Sequence, residues 1–263
     1  MSATPKDQRA ALVTGGTSGI GLEIVRRLAS AGTPVHLCGR SAETVASTVK
    51  ELTEEGLPVT GSVCDVRDHE QIKDLVRTVV EQHGPIRVLV NNAGRSGGGP
   101  TAEITDELWA DVIETNLTGV FRVTKEVLTA GGMQEAGQGR IINIASTGGK
   151  QGVVLAAPYS ASKHGVVGFS KALGLELART GITVNAVCPG FVETPMAQRV
   201  REGYADAWGV TQEEAFDRIT TRVPNGRYVT VREVAAMVEY LVGEDAAAVT
   251  AQALNVCGGL GNY

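Results

Sequence analysis

The chain has 263 residues, of which 43% are hydrophobic and 20% are charged, and its net charge is −5. This size and balance suit one globular α/β domain, and the acidic balance gives no general electrostatic reason to bind nucleic acid or an anionic membrane. The start of the chain lacks a signal-peptide core, and no apolar run reaches the roughly 18 residues that span a bilayer, so we expect a cytoplasmic protein without membrane contact.

Apolar runs rich in Val, Ile, Leu and Ala alternate with amphipathic segments along the chain. Strands are predicted over residues 10–16, 34–40, 58–66, 86–94, 139–146, 181–190 and 251–259. Helices are predicted over residues 20–32, 41–56, 68–83, 105–136, 159–180 and 231–242. Such strands belong to parallel sheets that are covered on both faces, and the alternation implies right-handed βαβ units. The sequence therefore predicts an α/β fold, a Rossmann-type doubly wound parallel sheet, as a single domain over residues 1–263.

The segment 193–228 breaks this rhythm. It is polar, contains Tyr204 and Trp208, and interrupts the final βαβ unit. Long insertions at the carboxyl end of a strand often form substrate lids, so we predict a helical lid here. The two aromatic rings could form a wall over a flat substrate. The alternative is that they serve lid packing or a subunit contact.

The cysteines and histidines show no spacing typical of a metal site. The four cysteines form no CxxC pair, and they lie within predicted strands. We therefore expect buried free thiols in place of a disulfide framework, and we predict no metal.

A glycine-rich turn, TGGTSGIG over residues 14–21, joins the first strand to the first helix. Gly15, Gly19 and Gly21 allow a tight turn and a close approach to a pyrophosphate, and the helix start supplies free amides. Because the pattern lies inside a βαβ unit, it predicts a dinucleotide site. The alternative is a glycine-rich turn without a ligand. The expected contacts at this turn are Gly15, Thr17, Ser18, Gly19, Ile20 and Gly21.

The residue after the second strand predicts which dinucleotide binds. Units that bind NAD usually place Asp or Glu there, whereas this chain has Arg40. A guanidinium can hold a 2′-phosphate and stack on adenine, which predicts NADPH, although a solvated surface arginine is the alternative. Asp65 and Val66 end the third strand, where they could reach the adenine edge. Asn92 and Gly94 follow the fourth strand and leave room for the ribose.

Tyr159 and Lys163 are four residues apart on a predicted helix, which puts both on one face. A carbonyl that accepts a hydride becomes an alkoxide and needs a proton, which a tyrosine can give. The ordinary pKa of tyrosine is about 10, and a nearby ammonium should lower it. We predict that Ser146 binds the carbonyl oxygen and that Asn116 holds a water linking Lys163 to solvent. The alternative is that the Tyr-x-x-x-Lys spacing arises by chance.

These motifs match one family together. TGGTSGIG, NNAG, Asn116, Ser146, YSASK over 159–163 and Pro189-Gly190 resemble the motifs of the short-chain dehydrogenase/reductase family, over nearly the whole chain. The resemblance implies a homotetramer. It also implies a catalytic tetrad of Asn116, Ser146, Tyr159 and Lys163. It further implies contacts to the nicotinamide carboxamide and pyrophosphate from Pro189, Gly190, Val192 and Thr194.

A narrower resemblance exists. The segments 115–128, 146–154, 159–169, 188–197 and 253–263 are similar to ketoreductases of bacterial type II aromatic polyketide synthases. This implies a substrate that is a poly-β-keto chain on an acyl carrier protein, reduced at one ketone, usually C9. A 3-oxoacyl-[acyl-carrier-protein] reductase of fatty acid synthesis is the nearest alternative. An alternative of another class is a non-catalytic NADPH-sensing regulator, which would be expected to lose Tyr159 or Lys163.

Two features bear on the substrate. Those ketoreductases commonly carry Pro-Gly-Gly after the NNAG loop, where this chain has Ser96, Gly97 and Gly98. Replacing proline frees φ and restores an amide donor, so we expect a more mobile loop beside the substrate and leave the product configuration open.

Arginines also follow the predicted strand ends on the cofactor side. We hypothesise that Arg67 and Arg95, together with Arg40, help to dock the acidic carrier or its phosphate. The alternative is ordinary surface charge, with Arg40 serving NADPH only.

Overall fold

The strands of this protein share one direction and end at one edge of a sheet. The structure is a computed structural model that describes residues 10–263, so the part of the signal-peptide prediction that rests on residues 1–9 lies outside the described residues. The strands are β1 (Ala10–Thr14), β2 (Val35–Gly39), β3 (Val59–Val63), β4 (Ile86–Asn91), β5 (Gln138–Ile144), β6 (Gly181–Pro189) and β7 (Ala253–Val256). They form one parallel sheet in the order β3-β2-β1-β4-β5-β6-β7, which confirms the predicted doubly wound fold.

Helices cover both faces of the sheet. They are α1 (Gly19–Ser30), α2 (Ala42–Glu54), α3 (His69–His83), α4 (Asp106–Ile113), α5 (Gly119–Leu128), α6 (Ala157–Glu176), α7 (Pro195–Trp208), α8 (Gln212–Thr220) and α9 (Val231–Val242). One face buries apolar residues of α1, α2 and α9, and the other buries those of α3, α5 and α6. None of the helices within residues 10–263 is both long and apolar enough to cross a bilayer. The four cysteines are buried free thiols, as predicted.

The structure differs from the prediction of one helix over residues 105–136. That segment is divided into α4, a π-helical turn (Glu114–Thr118) and α5, and its last helix ends at Leu128. Thr129 leaves helical geometry with a ψ of −91°, and the turns that follow are separated by Gly132, which has a left-handed φ of +72°. The predicted last strand is also shorter, since Gly258 and Gly259 have φ values of +61° and +89°.

The segment 193–228 contains α7 and α8. The two helices pack around Tyr204, Ile219 and Tyr228, which are buried. The ends of the segment meet at a short parallel bridge between Val192 and Val229. The Val229 amide donates to the Phe191 carbonyl at 2.9 Å, which closes the base of the segment.

A buried polar cluster lies between β2, β3 and the end of α3. His36 is 1% exposed, and its Nδ1 and Nε2 lie 2.8 Å from Thr60 Oγ1 and 2.9 Å from Ser62 Oγ. Thr60 Oγ1 also lies 2.8 Å from His83 Nε2. Burial, with the nearby His83, lowers the pKa of His36 to about 4, and burial lowers the pKa of His83 as well. His36 is therefore neutral in the folded protein at pH 7.

This cluster predicts a loss of stability in acid. The pKa of His36 in the folded protein lies below its ordinary value of 6.5. Its contribution to the free energy of unfolding is therefore complete above pH 6.5 and is lost as the pH falls from 6.5 to about 4. The loss amounts to about 3 kcal/mol at most. Glutamine does not titrate, so we expect the free energy of unfolding of His36→Gln, measured by urea unfolding, to depend less on pH across this range. The control is His69→Gln on the exposed start of α3, and an equal flattening in both variants would contradict the assignment.

Candidate active site

A cleft of about 1170 Å³ opens beyond the carboxyl ends of the strands. It includes the edge between β1 and β4, where the strand order reverses and open α/β sheets bind ligands. The cleft wall brings together most of the residues predicted from the sequence: Gly15, Thr17, Ser18, Gly19, Ile20, Arg40, Asp65, Val66, Asn92, Gly94, Ser96, Gly97, Gly98, Ser146, Tyr159, Lys163, Pro189, Gly190, Val192, Thr194 and Tyr204. Gly21, Asn116 and Trp208 are not among the residues that line the cleft.

The start of α1 packs tightly against the turn after β1. Gly15 has a φ of +65°, and a Cβ atom at Gly21 would lie 2.2 Å from the Gly15 carbonyl oxygen and 2.4 Å from Asn92 Nδ2. Asn92 Nδ2 donates to the main-chain oxygens of Thr14 at 3.0 Å and Gly15 at 2.9 Å. The first amides of a helix lack partners within the helix, so this packing holds a set of donors at the cleft. The geometry suits a pyrophosphate, and Gly21 serves it by close packing.

The next part of the cleft contains Arg40 and Asp65. Arg40 is exposed on the wall directly after β2. The Asp65 carboxylate is bound by Arg67, with 2.6 Å between Oδ2 and Nη2. This hydrogen-bonded pair lowers the pKa of Asp65, and the charge of Arg40 lowers it further. The carboxylate is thus held by a neighbouring guanidinium within the wall, and its predicted reach to an adenine edge stays a prediction.

Tyr159 and Lys163 lie on α6, and Ser146 follows β5. Lys163 is 6% exposed, and its Nζ lies 5.8 Å from the centre of the Tyr159 ring and donates to the Ile144 carbonyl at 2.7 Å. Ser146 Oγ accepts from the Gly148 amide at 3.0 Å. The bond to Ile144 ties α6 to β5, so the three polar side chains face one part of the cleft.

Burial is the largest cause of the pKa shifts of Tyr159 and Lys163. Burial raises the pKa of Tyr159, and a hydrogen bond with Ser146 opposes that rise. Burial lowers the pKa of Lys163 to about 8. Desolvation of the phenol is the largest cause of this rise, and the predicted lowering of the Tyr159 pKa by Lys163 stays a prediction. Tyr159 is protonated at neutral pH, which is the form that can give a proton.

Asn116 lies in the π-helical turn and is fully buried. Its Oδ1 accepts from the Arg95 amide at 2.8 Å, and its Nδ2 donates to the Arg95 carbonyl at 2.9 Å and to Ser162 Oγ at 3.1 Å. Ser162 Oγ donates in turn to the Tyr159 carbonyl at 2.7 Å. Asn116 thus connects the loop after β4 to the helix that carries Tyr159.

Gly94 lies next to both Asn116 and Lys163. A Cβ atom at Gly94 would stand 3.3 Å from Asn116 Oδ1 and 3.7 Å from Lys163 Nζ. A larger side chain at this position would contact both groups, and the water predicted to link Lys163 to solvent stays a prediction.

The Ser96–Gly98 loop packs on the main chain that precedes α6. A Cβ atom at Gly98 would lie 1.9 Å from the Leu155 carbonyl oxygen, and this oxygen accepts from the Gly99 amide at 2.8 Å. Leu155 itself has a φ of +59°, which is rare for a leucine. Hydrogen bonds hold Arg95 and Gly99, the two residues that flank the loop. The predicted mobility of the loop between them stays a prediction.

The two aromatic residues of segment 193–228 occupy different positions. Tyr204 is 8% exposed, contributes to the cleft wall, and donates its hydroxyl to the Val154 carbonyl at 3.3 Å. Trp208 stacks on the Tyr204 ring with 4.7 Å between centroids and 22° between planes. Trp208 therefore packs on Tyr204, and Tyr204 lines the cleft, while the predicted aromatic wall over a substrate stays a prediction.

The cleft wall also contains residues that the sequence did not single out. They come from the loop before α6, the lid and the C-terminal segment, and they include Gln151, Val153, Leu155, Met196, Arg222 and Leu260. No motif spacing marks them, because each reaches the cleft through contacts with segments distant in the chain.

The arginines beside the cleft are engaged by acidic residues. Arg67 contacts Asp65 and also Asp111, the latter at 2.5 Å, and Arg95 forms an ion pair with Asp111. The hollow next to them is lined by Asp65, Arg67, Asp68, Gln71, Glu107, Ala110, Asp111 and Glu114. Five of these residues are acidic and one is basic, so an acidic partner would have to displace Asp111 in order to reach the arginines.

Comparisons with known proteins agree with this geometry. A family model described as short chain dehydrogenase matches residues 9–205. The chain is 72% identical over 258 residues to a protein of Streptomyces coelicolor that bears the name ketoacyl reductase, which covers 98% of this chain and 99% of that protein. It is 73% identical to a ketoacyl reductase named for the granaticin polyketide synthase of Streptomyces violaceoruber, over 96% of this chain and 93% of that one.

A crystal structure of a tryptophan variant of actinorhodin polyketide ketoreductase with NADPH is also similar. It superposes with a TM-score of 0.96 at 71% identity and covers 100% of both chains.

Proposed function

Since the chain belongs to the short-chain dehydrogenase family, we propose that it is an NADPH-dependent ketoreductase that reduces one ketone of a polyketide intermediate. The observation that carries this proposal is the grouping of Ser146, Tyr159 and Lys163 on one wall of a cleft that also holds the glycine turn. The same cleft can therefore take a dinucleotide and a carbonyl side by side.

The cofactor residues fit NADPH. The tight contact of Gly21 with Gly15 leaves the amides of α1 facing the cleft for the pyrophosphate. Arg40, exposed after β2, suits the 2′-phosphate, and the relative of known structure that is named above contains NADPH. When bound, NADPH supplies the hydride. We propose that Pro189, Gly190, Val192 and Thr194 hold its nicotinamide end.

The protein residues supply the proton. We propose that the Ser146 hydroxyl donates a hydrogen bond to the ketone oxygen and that Tyr159 gives its phenolic proton to this oxygen as negative charge develops there. The burial that raises the pKa of Tyr159 keeps that proton in place until the oxygen becomes basic. Lys163, with a pKa of about 8, is largely an ammonium at pH 7 and stabilises the tyrosinate that remains. Asn116 positions α6 through Ser162 and borders the space for a relay water.

The finer substrate assignment rests on the relatives. We propose that the ketone is C9 of an aromatic polyketide chain on an acyl carrier protein, and that residues 193–228 serve as its lid, with Tyr204 against the substrate. The alternative, a 3-oxoacyl-[acyl-carrier-protein] reductase, uses the same tetrad. A non-catalytic NADPH sensor is disfavoured because Tyr159 and Lys163 are both present and face the cleft.

Turnover of two ketones tests the proposed reaction. We expect trans-1-decalone, a bicyclic ketone, to be reduced with a higher kcat/KM than a linear 3-oxoacyl thioester, and NADPH to be preferred over NADH. Tyr159→Phe, which keeps the ring and removes the proton, should lower kcat by at least about 100-fold with the affinity for NADPH unchanged. Preference for the linear thioester would favour the fatty acid alternative, and full activity of Tyr159→Phe would contradict the proton donor.

Carrier docking can be tested at the arginines. We propose that the phosphate of the carrier displaces Asp111 and binds Arg67 and Arg95. The side chains of these two arginines are 40% and 38% exposed. The double variant Arg67→Gln, Arg95→Gln should raise KM several-fold for a carrier-bound substrate and leave KM for trans-1-decalone unchanged. The control is Arg77→Gln on α3, where the arginine pairs with Asp74 at 2.8 Å. An equal rise of KM for both substrates would contradict docking at these arginines.

Three exposed apolar side chains favour a homotetramer. Trp109 on α4, Phe121 on α5 and Leu175 on α6 are 46%, 48% and 72% exposed, and we propose that further copies of this chain cover them. Light scattering of the purified protein should give four chain masses. Phe121→Asp should lower that mass, whereas Val63→Asp, at an exposed valine on β3, should not. A wild-type monomer would overturn the proposal.

A further inference from the structure

The last residues of the chain pass directly beside the cleft. Residues 257–263 follow β7, and the left-handed conformations of Gly258 and Gly259 turn them toward the base of the lid. The Gly258 carbonyl accepts from the Asn225 amide at 3.0 Å, and a Cβ atom at Gly259 would lie 3.1 Å from the Pro224 ring. This contact brings Leu260 into the cleft wall.

Hydrogen bonds within the segment hold Leu260 at the tip of a compact loop. The Gly261 amide lies 3.3 Å from Cys257 Sγ, and the Gly261 carbonyl accepts from Asn255 Nδ2 at 2.9 Å. The Leu260 amide donates to the Cys257 carbonyl at 3.1 Å. The side chain of Leu260 is therefore presented by a closed turn.

The far end of the segment is bound by Lys150. The Lys150 Nζ donates to the main-chain oxygen of Tyr263 at 2.6 Å, to Asn255 Oδ1 at 3.1 Å and to the Ala253 carbonyl at 3.2 Å. It also lies 5.1 Å from the centre of the Tyr263 ring. A half-buried ammonium with three oxygen partners is well satisfied, so this contact fixes the segment in one place.

Lys150 directly follows the turn that supports the catalytic group. Residues Thr147–Gly149 form one 3-10 turn, whose Gly148 amide binds Ser146 Oγ at 3.0 Å. A Cβ atom at Gly149 would lie 2.5 Å from the Lys163 carbonyl oxygen, so the turn is packed against α6. Lys150 thus joins the C-terminal segment to the main chain next to Ser146, while Gly258 and Gly259 join it to the base of segment 193–228.

We propose that residues 257–263 form a substrate-positioning wall of the active site and that Lys150 is the positioning residue that holds it. Leu260 supplies the apolar surface against the ketone. Lys150 acts through the segment and is not among the residues that line the cleft. The identity of the substrate rests on the proposed ketoreductase function, whereas the wall itself rests on the contacts of Lys150 and Leu260.

Kinetics of Lys150 variants test the wall. We expect Lys150→Met to raise KM for trans-1-decalone about tenfold, an effect of the size expected for losing hydrogen bonds to a charged group, while kcat stays within about twofold. The affinity for NADPH, measured by fluorescence titration, should not change. Lys150→Arg, which keeps the charge and its donors, should restore most of the wild-type KM. The control is Lys50→Met on α2, an exposed lysine far from the cleft, which should leave all constants unchanged.

A second variant covers the case in which Lys150→Met is poorly folded. Leu260→Ala keeps the anchor and shortens only the side chain at the wall, so it should raise KM for the ketone with kcat and the affinity for NADPH unchanged. Unchanged KM in both variants would overturn the proposal, as would an equal loss of NADPH affinity. If the wild-type protein reduces neither ketone, the proposed function is wrong. If the wild-type protein reduces the ketone and the variants have the same KM, the proposed function holds and only the wall is wrong.

Discussion

The site depends on the common direction of the strands. Because all seven strands of the described sheet run parallel, every strand ends at the same edge, and the loops that follow meet there. The order reverses between β1 and β4, so the loops after these strands diverge and leave a crevice. Helices bury both faces of the sheet. Polar groups at the carboxyl edge can therefore be exposed without replacing buried apolar residues.

Burial then decides the chemistry at this edge. Lys163 is almost fully buried and is held by the carbonyl of Ile144, and the same burial raises the pKa of Tyr159. A tyrosine that keeps its proton and a lysine whose pKa falls to about 8 are suited to delivering one proton at neutral pH. The side-chain amide of Asn116, in the π-helical turn, joins the loop after β4 to α6 and so holds these two segments together. The electrostatics of the site therefore come from packing as much as from the identity of the residues.

The end of the cleft where we propose that the ketone binds is built differently. Its walls come from the lid, the loop before α6 and the C-terminal segment, none of which belongs to the sheet. These segments are fitted by close main-chain contacts, such as that of Gly98 with Leu155, and by single polar anchors, such as Lys150. Loops of this kind can change without disturbing the sheet, which is why one fold can serve many ketones.

The sequence by itself determined the parallel sheet, the glycine turn and the pairing of Tyr159 with Lys163. These features depend on local periods, on apolar runs and on a four-residue helical spacing, and the structure agrees with each of them. Only the tertiary structure decided that Trp208 stands behind Tyr204, that Asp111 binds the arginines, and that Leu260 reaches the cleft. Each of these is a contact between segments far apart in the chain, whose energy depends on burial and mutual fit that no local pattern encodes.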